Sequence, residues 1–359
     1  MTQNLIPEML DPIHLYIKHT ESAFSALKVI ENGNIQISLV VDDQNRLIGT
    51  LTDGDIRRGL LRGHTLEAKV TSFMNSQFTS LRNDDDRSKY LKTMELKNLR
   101  HLPILDKKGR VIELLFRNEF DSTVNYPNTV VIMAGGKGTR LRPLTENCPK
   151  PMLPVNGQPM LEILLEHCIA NGFRNFYFSV NYLKEQVIDY FKDGSKWNVS
   201  INYLQEDLPL GTAGSLKLLP SNISHPILVM NGDVLTRFNP SDLINYHNEY
   251  NPSATLCVCE HKIDVQFGVV EANGIELTRF EEKPSYQYLV NAGVYVINPE
   301  LLSLIEPNET IDMPTLLSKA QHSGDRIIIC PIHEYWIDIG RRESLDSARL
   351  NWISKSLFS

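Results

Sequence analysis

Between Thr129 and Met230 the chain carries three short, unbroken apolar runs, TVVIM (129–133), FYFSV (176–180) and ILVM (227–230). Segments with helical spacing, 160–170 and 184–191, separate them. A strand with one wet face alternates apolar and polar residues, so a run that does not alternate must be covered on both faces. Helices placed between such strands supply the cover. The pattern therefore predicts an α/β fold whose parallel sheet is layered between helices. In such sheets ligands bind beyond the carboxyl ends of the strands, so functional residues are expected directly after these runs.

The first third of the chain follows another pattern. Segment 39–56 aligns with 103–120 at an offset of 64 residues, with Asp42 falling on Asp106. Each copy follows a helical stretch, 21–32 and 87–98, and in the first of these Ala23, Leu27 and Ile30 recur at helical spacing. The unit helix, strand, turn, strand, helix is thus used twice, and the two copies are expected to pack as one body because neither covers its own sheet face. The string DSTVNYPN, 121–128, is turn-rich and breaks both patterns. The expected organisation is a repeat pair over 1–122 (copies of about 1–64 and 65–122), a linker over 123–128 and a second domain over 129–359. A chain of 359 residues has room for two domains at about 150 residues each.

Composition excludes several classes. Hydrophobic residues at 42% and charged residues at 22% are ordinary for a globular protein and foreign to disordered or collagen-like chains. Lys and Arg number 36 against 43 Asp and Glu, a net charge of −7, which argues against a nucleic-acid partner. Basic and acidic residues balance up to Pro127, so the acidic excess lies in the second domain, where it is compatible with metal-binding carboxylates. No apolar run approaches the roughly 18 residues that cross a bilayer, and no basic segment followed by an apolar one opens the chain. A cytoplasmic protein without membrane contact is expected. The five cysteines show neither C-x-x-C nor Cys/His ligand spacing and are expected to be buried free thiols.

Directly after the first apolar run comes GGKGTRLRPLT (135–145). Glycines let a backbone approach phosphate closely, and Lys137, Arg140 and Arg142 bring positive charge to the same loop. The loop is not a G-x-G-x-x-G fingerprint, whose third glycine would fall on Leu141, nor a Walker A loop. Alone it fits a structural turn as well as a phosphate site. Other segments follow in order: PKPMLPV (149–155), LGTAGS (210–215), NGD (231–233), EEKP (281–284), NAGVYV (291–296), DMP (312–314) and WIDIG (336–340). Together they resemble the sugar nucleotidyltransferases, or NDP-sugar pyrophosphorylases, over nearly all of 129–340. The resemblance implies a Rossmann-like domain with a mixed, mostly parallel sheet. It also implies attack of a sugar 1-phosphate oxygen on the α-phosphorus of a nucleoside triphosphate, in line with departing pyrophosphate. That oxygen is already anionic at neutral pH, so the reaction asks for positioning and charge neutralisation, not for a general base.

Carried over residue by residue, the resemblance implies catalytic cations at Arg140 and Lys150, on the triphosphate, and at Lys283, on the sugar phosphate. Asp233 and Asp338 would hold magnesium (Mg2+), which favours a few carboxylate oxygens together with substrate phosphates. Gly135, Gly136, Gly138, Thr139, Gln205, Gly211 and Thr212 would meet the nucleotide, and Glu282, Asn291 and Gly293 the sugar. LGTAG is commoner in guanylyl-type relatives, so GTP is expected, with UTP, CTP and dTTP as alternatives. Asn171, His247 and Cys148 carry no motif and read as structural residues.

The repeat over 1–122 resembles the CBS domain pair, or Bateman module. GTLTDGDIRRGL (49–60) matches the adenosyl-ligand segment of that family, which implies that Thr52 and Asp55 hold the ribose of an adenine or guanine nucleotide. The offset puts Glu113, Phe116 and Glu119 on Gly49, Thr52 and Asp55, so the pattern is lost in the second copy and one site is expected. CBS pairs commonly associate through their helices, which implies a homo-oligomer. A CBS pair ahead of a transferase is similar to the glucosamine-1-phosphate guanylyltransferases of bacterial legionaminic acid pathways and to mannose-1-phosphate guanylyltransferases. GDP-glucosamine or a related GDP-sugar is the product this implies. The competing class is a non-catalytic subunit that only binds NDP-sugars. Such subunits tend to lose metal and phosphate residues, whereas Arg140, Lys150, Asp233, Lys283 and Asp338 are all present. A last helical stretch, 343–353, carries Leu345, Ala348 and Trp352 on one face, and no hexapeptide repeat follows it.

Overall fold

The computed structural model describes residues 12–33, 37–83, 85, 87–97, 99, 101–116 and 125–352. The chain divides into two compact units, Met1–Asp121 and Ser122–Ser359.

In the first unit the sequence repeat returns as a structural one. Strand Tyr16–Lys18 runs parallel to Ile37–Val41, which pairs antiparallel with Leu47–Thr52. Leu81–Arg82, His101–Leu105 and Val111–Phe116 pair in the same way, and both ladders shift register at the equivalent place, after Val40 and after Ile104. The two aligned aspartates build the same turn. Asp42 accepts from the N–H groups of Gln44 and Arg46, each at 2.9 Å, and Asp106 from those of Lys108 and Arg110, each at 2.8 Å. These donors, led by the Arg46 and Arg110 N–H groups, hold both carboxyls below the usual carboxylate value. The helix expected over 21–32 starts at Ala23, because Ser22 caps it by accepting from the Ser25 N–H; the other spans Arg87–Leu96, and Asn98 lies outside the described residues. Leu39 and Leu47 of one copy share a core cluster with Val111 and Leu114 of the other.

The second unit is built on a seven-stranded sheet in the order Ser200–Gln205, Phe173–Val180, Tyr126–Met133, Ile227–Asn231, Ser285–Ile297, Ala254–Asp264, Ile327–Ile332. All strands but Ser285–Ile297 run in one direction. Residues alternate between two cores: Val130, Ile132, Leu228 and Met230 enter one, and Val131, Ile227 and Val229 the other. Helices Met160–Ala170 and Lys184–Phe191 have the bounds that periodicity predicts. The first strand begins at Tyr126, inside the segment expected as a linker over 123–128, of which 123 and 124 lie outside the described residues. Pro127, which has no N–H for the ladder, is accommodated where the register with the neighbouring strand shifts between Tyr126 and Thr129. The closing helix spans Arg342–Asn351 and buries Leu345 and Ala348; Trp352 packs against the same core, and Ile353 lies outside the described residues.

Candidate active site

Strand Ile227–Asn231 runs out into Gly232 and Asp233, and the chain re-enters a short strand, Val234–Thr236, paired antiparallel with Trp336–Asp338. Val234 lies opposite Asp338, and the Ile339 N–H donates to the Asp233 carbonyl at 2.9 Å. Two carboxylates distant in sequence are thereby gathered at the carboxyl end of the sheet. Lys150 forms an ion pair with Asp233, its side chain 13% exposed and that of the aspartate 29%. Partial burial and the repulsion of Asp233 push the Asp338 carboxyl above its usual value, while Lys150 and Arg140 draw it back. Two neighbouring carboxylates that repel one another are hard oxygen donors in want of positive charge, which suits a divalent cation.

The glycine loop closes over Lys150. Gly138 has φ +59°, and a Cβ there would come within 2.9 Å of the Lys150 Cβ and of Thr145, so only glycine lets the loop descend this far. Thr145 donates to the Gly138 carbonyl at 2.8 Å. The space around Gly136 is open, and exposed Thr139 and Arg140 start the turn Thr139–Leu141, which buries Leu141, with the Arg140 Nη1 3.7 Å from where a Cβ on Gly340 would stand. Beneath the loop lies Glu206, which carries no motif that marks it in the sequence. It is buried, accepts from the Ser179 hydroxyl and, at 2.8 Å, from the Leu210 N–H, and its Oε1 would be 3.0 Å from a Cβ on Gly135. One carboxylate thus joins two strand ends, the glycine loop and the LGTAG segment.

LGTAG docks on the start of helix Met313–His322. The Thr212 N–H donates to the Asp312 carboxylate, and the Met313 N–H donates to the Thr212 hydroxyl, each at 2.9 Å; Gly211, at φ +77°, stands too close to Ile311 and Asp312 to carry a Cβ. Gln205 is exposed at the end of its strand. On the other flank, Asn291 donates to the Tyr295 hydroxyl at 2.7 Å and accepts from the Gly293 N–H at 2.9 Å. The Trp336 indole donates to the Ala292 carbonyl at 2.8 Å, tying the Asp338 strand to this flank. Glu282 and Lys283 are exposed, and among the described residues no hydrogen bond or ion pair joins them to the cluster of Lys150, Asp233 and Asp338. Lys283 sits at φ +45°, a conformation that side chains rarely adopt.

In the first unit Thr52 and Asp55 form the capping box of helix Asp53–Leu61. The Thr52 N–H donates to the Asp55 carboxylate at 2.8 Å, the Asp55 N–H to the Thr52 hydroxyl at 3.3 Å, and Arg58 pairs with the same carboxylate at 2.5 Å. Helix capping therefore accounts for this residue pair before any ligand is considered. Phe116 closes strand Val111–Phe116, and Glu119 lies outside the described residues.

The residues without motifs are structural. Asn171 donates to the His167 carbonyl at 2.8 Å. His247 is buried between Thr255 and Asn298, and burial lowers its pKa. All five cysteines are free, four of them buried and Cys148 partly so. Among the described residues no helix is long and apolar enough to cross a membrane.

Residues 129–354 match the nucleotidyl transferase family, and residues 1–62 match the CBS domain. A mannose-1-phosphate guanyltransferase of Yarrowia lipolytica is 31% identical over 234 residues, covering 62% of this chain and 64% of the relative. The bifunctional protein GlmU of Methanococcus maripaludis is 32% identical over 237 residues, covering 63% of this chain and 54% of the relative. The chain thus spans less than two thirds of the length of either. HddC from Yersinia pseudotuberculosis, solved in complex with GMP-PN, shares the fold, with a TM-score of 0.50 at 24% identity over 62% of this chain and 98% of that one.

Proposed function

Because the chain belongs to the nucleotidyl transferase family, we propose that it joins a sugar 1-phosphate to GTP, releasing pyrophosphate and forming a GDP-sugar of the GDP-glucosamine or GDP-mannose class. The observation that carries this reading is the convergence of Lys150, Asp233 and Asp338 beside the glycine loop at the carboxyl end of the sheet. A sugar phosphate oxygen attacks the α-phosphorus, an O–P bond forms, the bond to the β-phosphate oxygen breaks, and pyrophosphate leaves. Asp233 and Asp338 would hold Mg2+, which when bound offsets the negative charge of the phosphates.

Without substrate, Lys150 pairs with Asp233. On binding, the ammonium turns to the triphosphate and the carboxylate is released for the cation, so the ion pair is exchanged instead of two charges being left exposed. Arg140 shares the triphosphate charge, the amides of Gly135, Gly136, Gly138 and Thr139 approach the phosphates, and Gln205, Gly211 and Thr212 meet the nucleoside. Asn291 and Gly293 line the sugar side. Lys283 and Glu282, on an exposed segment, reach the sugar phosphate by moving towards the cluster. Pyrophosphate release from GTP with a panel of sugar 1-phosphates tests the proposal. Binding without release would favour the non-catalytic reading.

For the first unit we propose one adenine or guanine nucleotide at Thr52 and Asp55, and association of whole chains through this unit in a cytoplasmic homo-oligomer. The equivalence of the two ladders supports a CBS pair. Control of turnover requires further that the nucleotide bind two enzyme states with different affinity.

A further inference from the structure

Asp312, in the segment DMP, stands at the N-cap position of helix Met313–His322 with extended backbone, yet its carboxylate makes no capping bond to its own helix. An aspartate there ordinarily accepts from an N–H of the helix's first turn. Here the carboxylate turns to a stretch of chain 100 residues earlier: its Oδ1 accepts from the Thr212 N–H at 2.9 Å and from the Thr212 hydroxyl at 3.3 Å. The same hydroxyl accepts from the Met313 N–H at 2.9 Å. Thr212 thus caps the helix that begins beside Asp312, and Asp312 satisfies the backbone of Thr212, a capping box closed between two distant stretches. Main-chain bonds hold both in one register. The Ile311 N–H donates to the Leu210 carbonyl at 3.0 Å, and the Ala213 and Gly214 N–H groups donate to the Ile311 carbonyl at 2.9 and 3.2 Å. With the Leu210 N–H bonded to Glu206, the amides of Leu210, Thr212, Ala213 and Gly214 all have partners within the protein. The Gly211 N–H has none among the described residues. Gly211 takes φ +77°, with the Ile311 carbonyl oxygen 2.6 Å and the Asp312 Oδ1 2.8 Å from where its Cβ would stand, so the box lies directly against the residue that carries the free donor.

We infer that Asp312 is a positioning residue for nucleobase selection, which holds Thr212 so that the Gly211 N–H meets a carbonyl oxygen of the base. The inference rests on the transferase reading and on the place it gives Gly211 beside the nucleoside. Guanine, uracil, thymine and cytosine all offer a carbonyl oxygen, at different positions around the ring, so a backbone donor tells them apart only if the main chain that carries it is held still. A loosened donor loses its bond to the favoured base and gains nothing with the others, so discrimination falls first. Thr212 has its N–H and hydroxyl engaged by Asp312 and the helix, so its part in the site is played through Gly211. A loop that met only phosphate would serve all four triphosphates alike.

The test is steady-state kinetics of the full chain with magnesium, an accepted sugar 1-phosphate and each of GTP, UTP, CTP and dTTP, comparing wild type with Asp312→Ala and Asp312→Asn beside thermal melts. In Asp312→Ala, kcat/KM for the preferred triphosphate, expected to be GTP, should fall at least fivefold through KM, the other three should change less than twofold, and KM for the sugar 1-phosphate should stay within twofold of wild type. Asp312→Asn keeps an oxygen acceptor for the Thr212 N–H and is expected to restore the preference to within twofold of wild type. If the alanine variant melts too low to assay, Thr212→Val, which breaks the same box from its other side and keeps the side-chain shape, carries the same kinetic expectation. An unchanged preference in Asp312→Ala would overturn the inference, whether the kinetics are those of wild type or all four triphosphates lose equally, as would an asparagine variant impaired like alanine or a wild type indifferent to the base. A wild type that releases no pyrophosphate with any pair of substrates would instead count against the transferase reading itself.

Discussion

The Ile339 N–H donates to the Asp233 carbonyl at 2.9 Å. This backbone bond extends the two-stranded ribbon that brings Asp338 beside Asp233, so main-chain pairing helps to set the geometry of the candidate metal pair. The strands it joins, Val234–Thr236 and Trp336–Asp338, are each three residues long; Val234 and Leu235 enter the main core with Ile339, and Trp336 and Ile337 pack against it, so core packing and the backbone bond together align the two carboxylates.

Asp233→Asn keeps the shape and removes the charge. Turnover is expected to fall at least a hundredfold, with circular dichroism and melting temperature close to wild type. Pyrophosphate release measured beside a thermal melt checks this, and turnover within twofold of wild type would contradict the role given to Asp233.

Asp338→Asn should separate stability from function. The Asp338 pKa is raised in the folded protein, so above that pKa the ionised group costs folding free energy that an unfolded chain does not incur. Asparagine removes the cost. The variant is expected to melt at or above the wild-type temperature at pH 7, with the difference shrinking as pH falls through the carboxylate range, while turnover is lost. Melts at pH 7 and pH 5 decide it; a clear loss of stability at pH 7 would show that the Asp338 charge is favourable in the free enzyme.

His247 sets a pH dependence of the second unit. Its ring is buried against the Thr255 hydroxyl at 2.9 Å and Asn298 Oδ1 at 3.0 Å, and burial pushes its pKa below 6.5. The folded state therefore disfavours the proton that the unfolded chain takes up, so the contribution to stability is full above pH 6.5 and is lost as pH falls from there towards the folded pKa. His247→Gln is expected to flatten the stability profile between pH 7 and 5. An unchanged slope would assign the acid sensitivity elsewhere.

Asp55→Asn tests the nucleotide proposed for the first unit without removing the acceptor that caps helix Asp53–Leu61. Calorimetry of the full chain with AMP, ADP, ATP and GTP is expected to show a binding event for at least one nucleotide beyond the transferase site, weakened at least tenfold in the variant. Isotherms that superimpose would leave Thr52 and Asp55 as a helix cap alone.

Much of this was legible in the sequence because strand burial and motif order are local properties. Val130 to Ile132 and Leu228 to Met230 are covered on both faces, as unbroken apolar runs demand, and Asp42 and Asp106 build identical turns because the repeat preserves their neighbours. What was not legible depends on partners distant in sequence. Pro127 reads as a breaker until a register shift opposite it is seen. Glu206 lies in no motif, and only the fold closes Ser179 and Leu210 around it, while the ion pair of Lys150 with Asp233 joins residues that no spacing rule connects.

The central claim is that the cluster of Lys150, Asp233 and Asp338 transfers a nucleotidyl group to a sugar phosphate. Incubation of the purified chain with GTP, magnesium and single sugar 1-phosphates, followed by quantitation of pyrophosphate and the nucleotide sugar, tests it directly. The account predicts equimolar pyrophosphate and GDP-sugar, abolished by chelation of the metal and by Asp233→Asn. Tight binding of a GDP-sugar with no pyrophosphate formed from GTP, UTP, CTP or dTTP and any sugar 1-phosphate in the panel would contradict it.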